Sequence, residues 1–114
     1  MTFNTHPECF DELTQVLKTI ADPARLTILE ILSLGEQNVT SIHRRANLSQ
    51  PTVSRHLAQM RIQRLVVARR DGKQVLYSLG PQFHNDSGAL TLDLPGASLS
   101  LRLPAEQPQK VVAA

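Results

Sequence analysis

Four side chains that can hydrogen-bond to the edges of nucleic-acid bases lie within one short stretch, SQPTVSRHL. They are Gln50, Thr52, Ser54 and Arg55. An arginine guanidinium can donate two hydrogen bonds to guanine, a glutamine amide can pair in two places with adenine, and a threonine methyl can contact thymine. These groups can act together only if one structural element displays them on a common exposed face.

The surrounding residues predict a helix that provides such a face. Ser49 is a favourable N-cap, and Pro51 is tolerated in the first turn, where backbone N–H groups lack partners within the helix. Apolar residues recur at helical spacing and are expected to face a core: Val53, Leu57 and Met60. The polar residues then lie on the outer face or its flanks: Thr52 and Arg55 outward, Ser54 and His56 on the flanks.

Three further helices are predicted before this one. Apolar spacing over residues 8–20 predicts an amphipathic helix, and Asp22 as N-cap predicts a second helix from Pro23 to about Leu34. A short third helix is expected to begin at Thr40 or Ser41 and to end at Ala46. Asn47 then suits the left-handed conformation of a tight turn between helices.

A β-hairpin is predicted after the fourth helix, in the segment VVARRDGKQVLYSL. Asp71-Gly72 is a strong turn signal between two β-prone runs, residues 66–70 and 74–79. Arg70 and Lys73 would lie at its tip, where they could reach phosphates or a minor groove.

The C-terminal region predicts a second hairpin, because leucines alternate on both sides of Pro95-Gly96. A four-residue loop would pair Leu94 with Leu99, and it is preferred because a two-residue Pro-Gly turn suits tight hairpins poorly. Either loop leaves all the leucines on one face. An extended or disordered segment is the alternative. The domain organisation expected is residues 1–80 as the main domain, 81–104 as the hairpin and 105–114 as a flexible tail.

Composition limits the classes of protein that this chain can be. Residues 40–80 carry a net charge of +7, whereas residues 1–39 carry −4 and residues 81–114 carry −1. A basic segment can be merely a solvated face, but it is also typical of a phosphate-binding surface. No membrane span or signal peptide is predicted. A single cysteine, Cys9, suits a reducing cytosol, and no pattern of catalytic residues indicates an enzyme.

The order of helix, turn, helix and basic hairpin is that of a winged helix-turn-helix, in which the second helix of the pair reads the major groove. Three segments resemble ArsR/SmtB-type repressors: LKTIADPARLTILEIL, NLSQPTVSRHLAQM and LVVARRDGKQVLYSL. The resemblance implies a cytoplasmic, homodimeric transcription regulator that binds a palindromic operator in double-stranded DNA and is released by an effector. It also implies that His56 belongs to the recognition helix, where packing, positioning and DNA contact all remain open for it.

The metal site of the resembling family is not expected here, and no cofactor is predicted. Its Cys-Val-Cys pattern at the third helix corresponds to Asn38, Val39 and Thr40, which offer no thiolate. The pairs His6 with Cys9 and His84 with Asp86 provide only two ligands each. Cys9 is interpreted as structural, with a thiol sensor as the alternative.

The resembling family forms its dimer through the first helix and a C-terminal helix, but this chain has strand-like leucines in place of the latter. The expected fold is therefore mainly α with small β, with the leucine-rich hairpin replacing that helix. The leucines could form the dimer interface, pack on the chain's own helices or bind a third protein. The residues assigned to the interface are Leu13, Leu17, Leu90, Leu92, Leu94, Leu99, Leu101 and Leu103. The alternative function is a winged-helix protein-interaction module that has lost DNA binding.

Overall fold

The computed structural model describes residues 7–86 and 88–102, with side chains described from Phe10 onward. Its helices are α1 (Pro7–Ile20), α2 (Pro23–Leu32), α3 (Val39–Ala46) and α4 (Gln50–Ile62). Its strands are β1 (Gln37–Asn38), β2 (Val66–Asp71), β3 (Gln74–Leu79), β4 (Phe83–Asp86), β5 (Ala89–Leu94) and β6 (Ala97–Arg102). Each helix in the described ranges is too short or too polar to span a membrane.

The structure confirms the four predicted helices and corrects two of their ends. The second helix stops at Leu32 with Ser33 as its C-cap, two residues before the predicted end. The third helix begins at Val39, and its N-cap is Asn38 instead of Thr40 or Ser41. The Asn38 side chain accepts a hydrogen bond of 2.8 Å from the Ser41 backbone N–H, and asparagine is among the most favourable N-cap residues.

Local chemistry fixes the turn that joins α3 to α4. Asn47 has φ 59° and ψ 44°, the predicted left-handed conformation. The Ser49 side chain accepts from the Thr52 N–H and caps α4. His43 Nδ1 lies 3.2 Å from the Leu48 carbonyl oxygen, a contact that the sequence did not predict. Hydrogen bonds therefore stabilise the turn on both its α3 side and its α4 side.

The predicted wing hairpin is present, and it is part of a three-stranded sheet. β2 and β3 pair antiparallel from Val66 opposite Leu79 to Asp71 opposite Gln74. The two-residue strand β1 adds to the far side of β3, giving the order β1-β3-β2. This short strand links the wing directly to the start of α3.

The C-terminal leucines form a hairpin as predicted, but its expected register is wrong. Leu92 is opposite Leu99, and Leu94 is opposite Ala97, so the loop is the two-residue Pro95-Gly96 turn. Gly96 has φ 79°, a value that only glycine adopts readily at this position of a tight turn. β4 adds a third strand that was not predicted, in the order β4-β5-β6.

One hydrophobic core joins the helices to both sheets. It includes Ile28, Leu57 and Val66 from the winged domain and Phe83, Leu90 and Leu92 from the C-terminal sheet. Leu90 and Leu92 are each only 2% exposed within the single chain. These two leucines therefore pack on the chain's own helices, which corrects their assignment to a dimer interface. The partly buried Leu94, Leu99 and Leu101 complete the same face of the sheet, and Leu103 lies outside the described residues.

Candidate nucleic-acid interface

Helix α4 exposes the polar face that its sequence predicted. Its inward side chains, Val53, Leu57 and Met60, are at most 1% exposed. Gln50, Ser54 and Arg55 are exposed, whereas Thr52 and His56 are half-buried. The hydrophobic side thus fixes the rotation of the helix, and the side chains able to contact bases project from its N-terminal half.

The N-cap also orients one of these side chains. The Thr52 backbone N–H donates to Ser49 Oγ at 3.3 Å. The Ser49 hydroxyl in turn donates to Thr52 Oγ1 at 2.8 Å. The threonine hydroxyl accepts this hydrogen bond and can still donate its own hydrogen. The same contact orients the threonine methyl group. Thr52 is therefore held before any ligand binds.

His56 contacts a residue that the sequence did not single out. Arg25 Nε donates to His56 Nδ1 at 3.0 Å, and Arg25 Nη1 donates to the Thr19 carbonyl oxygen at 2.9 Å. Because an arginine can only donate, Nδ1 must be the unprotonated acceptor, and the imidazole hydrogen then lies on Nε2. The contact fixes the His56 ring on α4 and leaves Nε2–H as a donor.

The start of α2 anchors Arg25 in this arrangement. Asp22 Oδ1 accepts from the backbone N–H groups of Ala24 and Arg25 at 2.8 and 3.1 Å. The Arg25 N–H is the main reason that the pKa of Asp22 lies below its ordinary value. Since the folded-state pKa is lowered, this cap stabilises the fold above the ordinary carboxylate pKa, and the contribution is lost as pH falls through the lowered value.

The wing presents two basic residues and uses a third to anchor itself. Arg70 and Lys73 are exposed at the hairpin tip. Arg69 instead donates from Nε and Nη2 to the two carboxylate oxygens of Glu36 at 2.8 and 2.9 Å. These hydrogen bonds lower the pKa of Glu36 and raise that of Arg69. One positive charge of the basic segment is therefore paired with a carboxylate at the protein surface.

A second contact ties the wing to α3. Asn38 Nδ2 donates to Gln74 Oε1 at 2.8 Å, while its Oδ1 caps the helix. Asn38 stands where the resembling family places a thiolate, and here both ends of its amide have structural partners. Within the described ranges, no group of three or more His, Cys, Asp and Glu side chains could hold a metal ion.

The other candidate ligands form no such group among the described residues or lie outside them. His84 Nδ1 lies 3.6 Å from Asp93 Oδ2, a carboxylate that the sequence did not pair with it. Cys9 lies in α1, but its side chain, like that of His6, is outside the described residues. A thiol-sensing role for Cys9 stays a prediction.

Comparison with known proteins matches residues 22–67 to the arsR family of bacterial regulatory proteins. An arsenical resistance operon repressor of Staphylococcus xylosus is 36% identical over 74 residues, which cover 65% of this chain and 71% of that protein. A probable mercury resistance operon repressor of Streptomyces lividans is 40% identical over 76 residues, covering 67% of this chain but only 58% of that protein.

Solved structures give the same result for the fold. A homodimeric winged helix-turn-helix DNA-binding domain from Mycobacterium bovis, a possible ArsR-family transcriptional regulator, has 30% identity and a TM-score of 0.60. The match covers 69% of this chain and 75% of that one. Reduced HlyU from Vibrio cholerae has 34% identity and a TM-score of 0.62, covering 65% of this chain and 78% of that one.

Proposed function

We infer that this chain, which belongs to the arsR family of bacterial regulatory proteins, is a DNA-binding transcription regulator. It acts as a repressor. It binds double-stranded DNA with sequence preference, and α4 is the recognition helix. The observation that carries the assignment is the exposed face of Gln50, Ser54 and Arg55, on a helix whose opposite face is locked into the core. Thr52 and His56 border this face and are placed by hydrogen bonds from Ser49 and Arg25.

Selection of bound sequences from random DNA duplexes tests this function directly. A recovered consensus would identify the operator, and its symmetry would report the number of recognition helices that bind. A winged-helix module that binds only proteins would recover none. Retention on nonspecific DNA also separates the two, because phosphate binding falls steeply with salt whereas a protein-binding module gives a flat response.

We further propose that the protein acts as a homodimer on a palindromic operator. One recognition helix contacts few base pairs, and a two-fold dimer reads two half-sites about one helical turn, or a multiple of it, apart. Helix α1 offers an apolar surface for such a homodimer. Phe10 and Leu17 are 56% and 41% exposed, and Leu13 on the same flank of the helix is only half-buried. The solved relative from Mycobacterium bovis is itself described as homodimeric.

Four finer features belong to the same proposal. The protein performs no catalysis and acts in the cytoplasm, as a regulator of transcription would. An effector of unspecified chemistry releases it from DNA. Arsenite and soft metals do not act through the start of α3, since Asn38 is engaged there as helix cap and wing tether.

The wing should bind phosphates, and Lys73→Ala tests this. The substitution is expected to weaken binding to all DNA sequences about equally, because a lysine at the hairpin tip contacts backbone and carries no base information. The slope of log affinity against log salt should fall by about one unit per protomer. Lys73→Arg keeps the charge and should keep the slope. An unchanged slope in Lys73→Ala would indicate a solvated tip that does not touch DNA.

Arg25 should act on DNA recognition through His56. Arg25→Ala removes the hydrogen bond that fixes the His56 ring, so we expect weaker sequence discrimination with an unchanged salt slope. A double-mutant cycle with His56→Ala on the preferred site should give a coupling energy of about 0.5–1.5 kcal/mol. Thermal unfolding of each variant checks that the domain remains folded. Strictly additive losses would show that Arg25 does not work through His56.

A further inference from the structure

Strand β6 is the outer strand of the C-terminal sheet within the part of the chain that the structure describes. Its sequence, ASLSLR, contains no proline and no charge before Arg102. Natural proteins protect outer strands with proline, lysine, inward charges or bulges, because an unprotected edge pairs readily with another chain. β6 has none of these devices over its first five residues.

The register identifies which backbone groups face outward. Leu94 and Ala97 flank a two-residue turn and so form a hydrogen-bonded pair. Hydrogen-bonded and non-hydrogen-bonded pairs alternate along an antiparallel ladder, so Asp93 and Ser98 form a non-hydrogen-bonded pair.

An independent contact supports this assignment of hydrogen-bonded and non-hydrogen-bonded pairs. The Asp93 N–H donates to the Gln82 carbonyl oxygen at 2.9 Å, on the side of β5 away from β6. By the same alternation, the backbone N–H and C=O groups of Ser98 and Ser100 point away from β5. They are hydrogen-bonding groups at the sheet edge.

The apolar cover of the sheet also becomes thinner towards this edge. Leu90 and Leu92 on β5 are 2% exposed, whereas their cross-strand neighbours Leu101 and Leu99 on β6 remain partly exposed. A further strand beyond β6 would complete the cover of both leucines and satisfy the outward backbone groups of β6.

We propose that β6 pairs antiparallel with β6 of a second copy of this chain, about a two-fold axis at Leu99. Ser98 then lies opposite the partner's Ser100, four backbone hydrogen bonds form, and two three-stranded sheets become one of six strands. The symmetric register uses Ser98 and Ser100 on both chains and leaves the leucines on the core-facing side. This inference rests on the homodimer proposed above and names the surface that makes it.

Continuity with α1 favours a second copy as the occupant. Helix α1 packs on β5, and its Glu12 and Gln15 flank lies near Gln82 and Leu94. Phe10 and Leu17 lie on the opposite flank and are exposed. A dimer formed about a two-fold axis beside β6 can bury both this apolar flank and the strand edge in one isologous interface.

The first test compares Ser100→Pro with Ser100→Ala in the full chain by sedimentation equilibrium. Both lose the 2.9 Å contact between Thr91 Oγ1 and Ser100 Oγ, but only proline removes the outward N–H. Proline is tolerated on an edge strand when its nitrogen faces away from the ladder. Because two hydrogen bonds vanish per dimer, Ser100→Pro should weaken dimerisation about 10- to 100-fold relative to Ser100→Ala.

The outcomes separate this inference from the proposed function. A wild-type chain that binds operator DNA as a monomer overturns both the proposed homodimer and the β6 pairing, whereas the DNA-binding function stands. A wild-type dimer that Ser100→Pro leaves unaltered overturns only the β6 pairing.

A crosslinking experiment keeps the proposal testable if the proline variant does not fold. In a Cys9→Ser background, Leu99→Cys places one thiol per chain at the axis, in a non-hydrogen-bonded pair whose Cα atoms approach to about 4.5 Å. Mild oxidation should link the dimer through this position. Thr91→Cys, one strand further in, is the control and should not crosslink. A dimer that resists linkage at position 99 excludes the register.

Discussion

Replacing Arg55 by alanine is expected to lower affinity for the preferred operator by about 1–3 kcal/mol for each half-site of the proposed palindrome. Arg55 is exposed in the second turn of α4, where its guanidinium can donate two hydrogen bonds to one guanine. The lost energy belongs to a base contact, so sequence preference should relax at one position of each half-site. Competition binding against duplexes substituted at every operator position measures both effects.

Arg61→Ala is the matched control, since Arg61 is also exposed on α4 but lies in its last turn. It removes the same charge far from the N-terminal half of the helix, so any loss should be uniform across sequences. If Arg55→Ala behaves like Arg61→Ala, Arg55 supplies only charge, and another element reads the bases. If neither substitution changes affinity, α4 is not the recognition helix.

The sequence was sufficient to predict the elements that position the DNA-binding face, because their signals are local. Ser49 as N-cap, Asn47 in a left-handed turn and the spacing of Val53, Leu57 and Met60 each act over a few residues. The Asp71-Gly72 turn similarly determines where the wing bends. Such short-range signals fix both the presence of α4 and the rotation of its polar face.

Contacts between distant segments could not be predicted in the same way. Arg25 and His56 are separated by 31 residues, as Asn38 and Gln74 are by 36, and nothing near either residue specifies its partner. Glu36 could have been noticed as an acidic residue close to a basic hairpin, but its pairing with Arg69 rather than Arg70 depends on the register of β2. The Glu36–Arg69 pair, in particular, reduces the positive charge that the wing can offer to DNA.

The C-terminal sheet has features that its sequence pattern cannot determine. Alternating leucines predicted strands and a common apolar face, and both are present. The pattern is nevertheless identical in the two candidate registers, so it could not choose between a two-residue and a four-residue loop. It also could not determine what covers the face, because a leucine buried by its own helices and one buried by a partner have the same spacing.

Leu92→Ala distinguishes these two kinds of burial, and we expect it to destabilise the protomer by about 2–5 kcal/mol. Leu92 is 2% exposed within the single chain and packs in the same cluster as Phe83. Removing most of its side chain leaves a cavity that the surrounding helices and sheet can fill only in part. Since a domain of this kind has a free energy of unfolding of about 5–15 kcal/mol, the loss should be large. Denaturant unfolding should show a lower midpoint.

Leu101→Ala serves as the comparison, because Leu101 is only partly buried on β6 and should cost the protomer less. Protein concentration separates the two mechanisms: loss of core packing lowers stability at every concentration, whereas a weakened interface lowers it least when concentrated protein restores the dimer. We therefore expect the Leu92→Ala penalty to be independent of concentration and that of Leu101→Ala to shrink as concentration rises. If the Leu92→Ala chain kept its protomer stability but no longer formed a dimer, Leu92 would belong to the dimer interface instead of the protomer core.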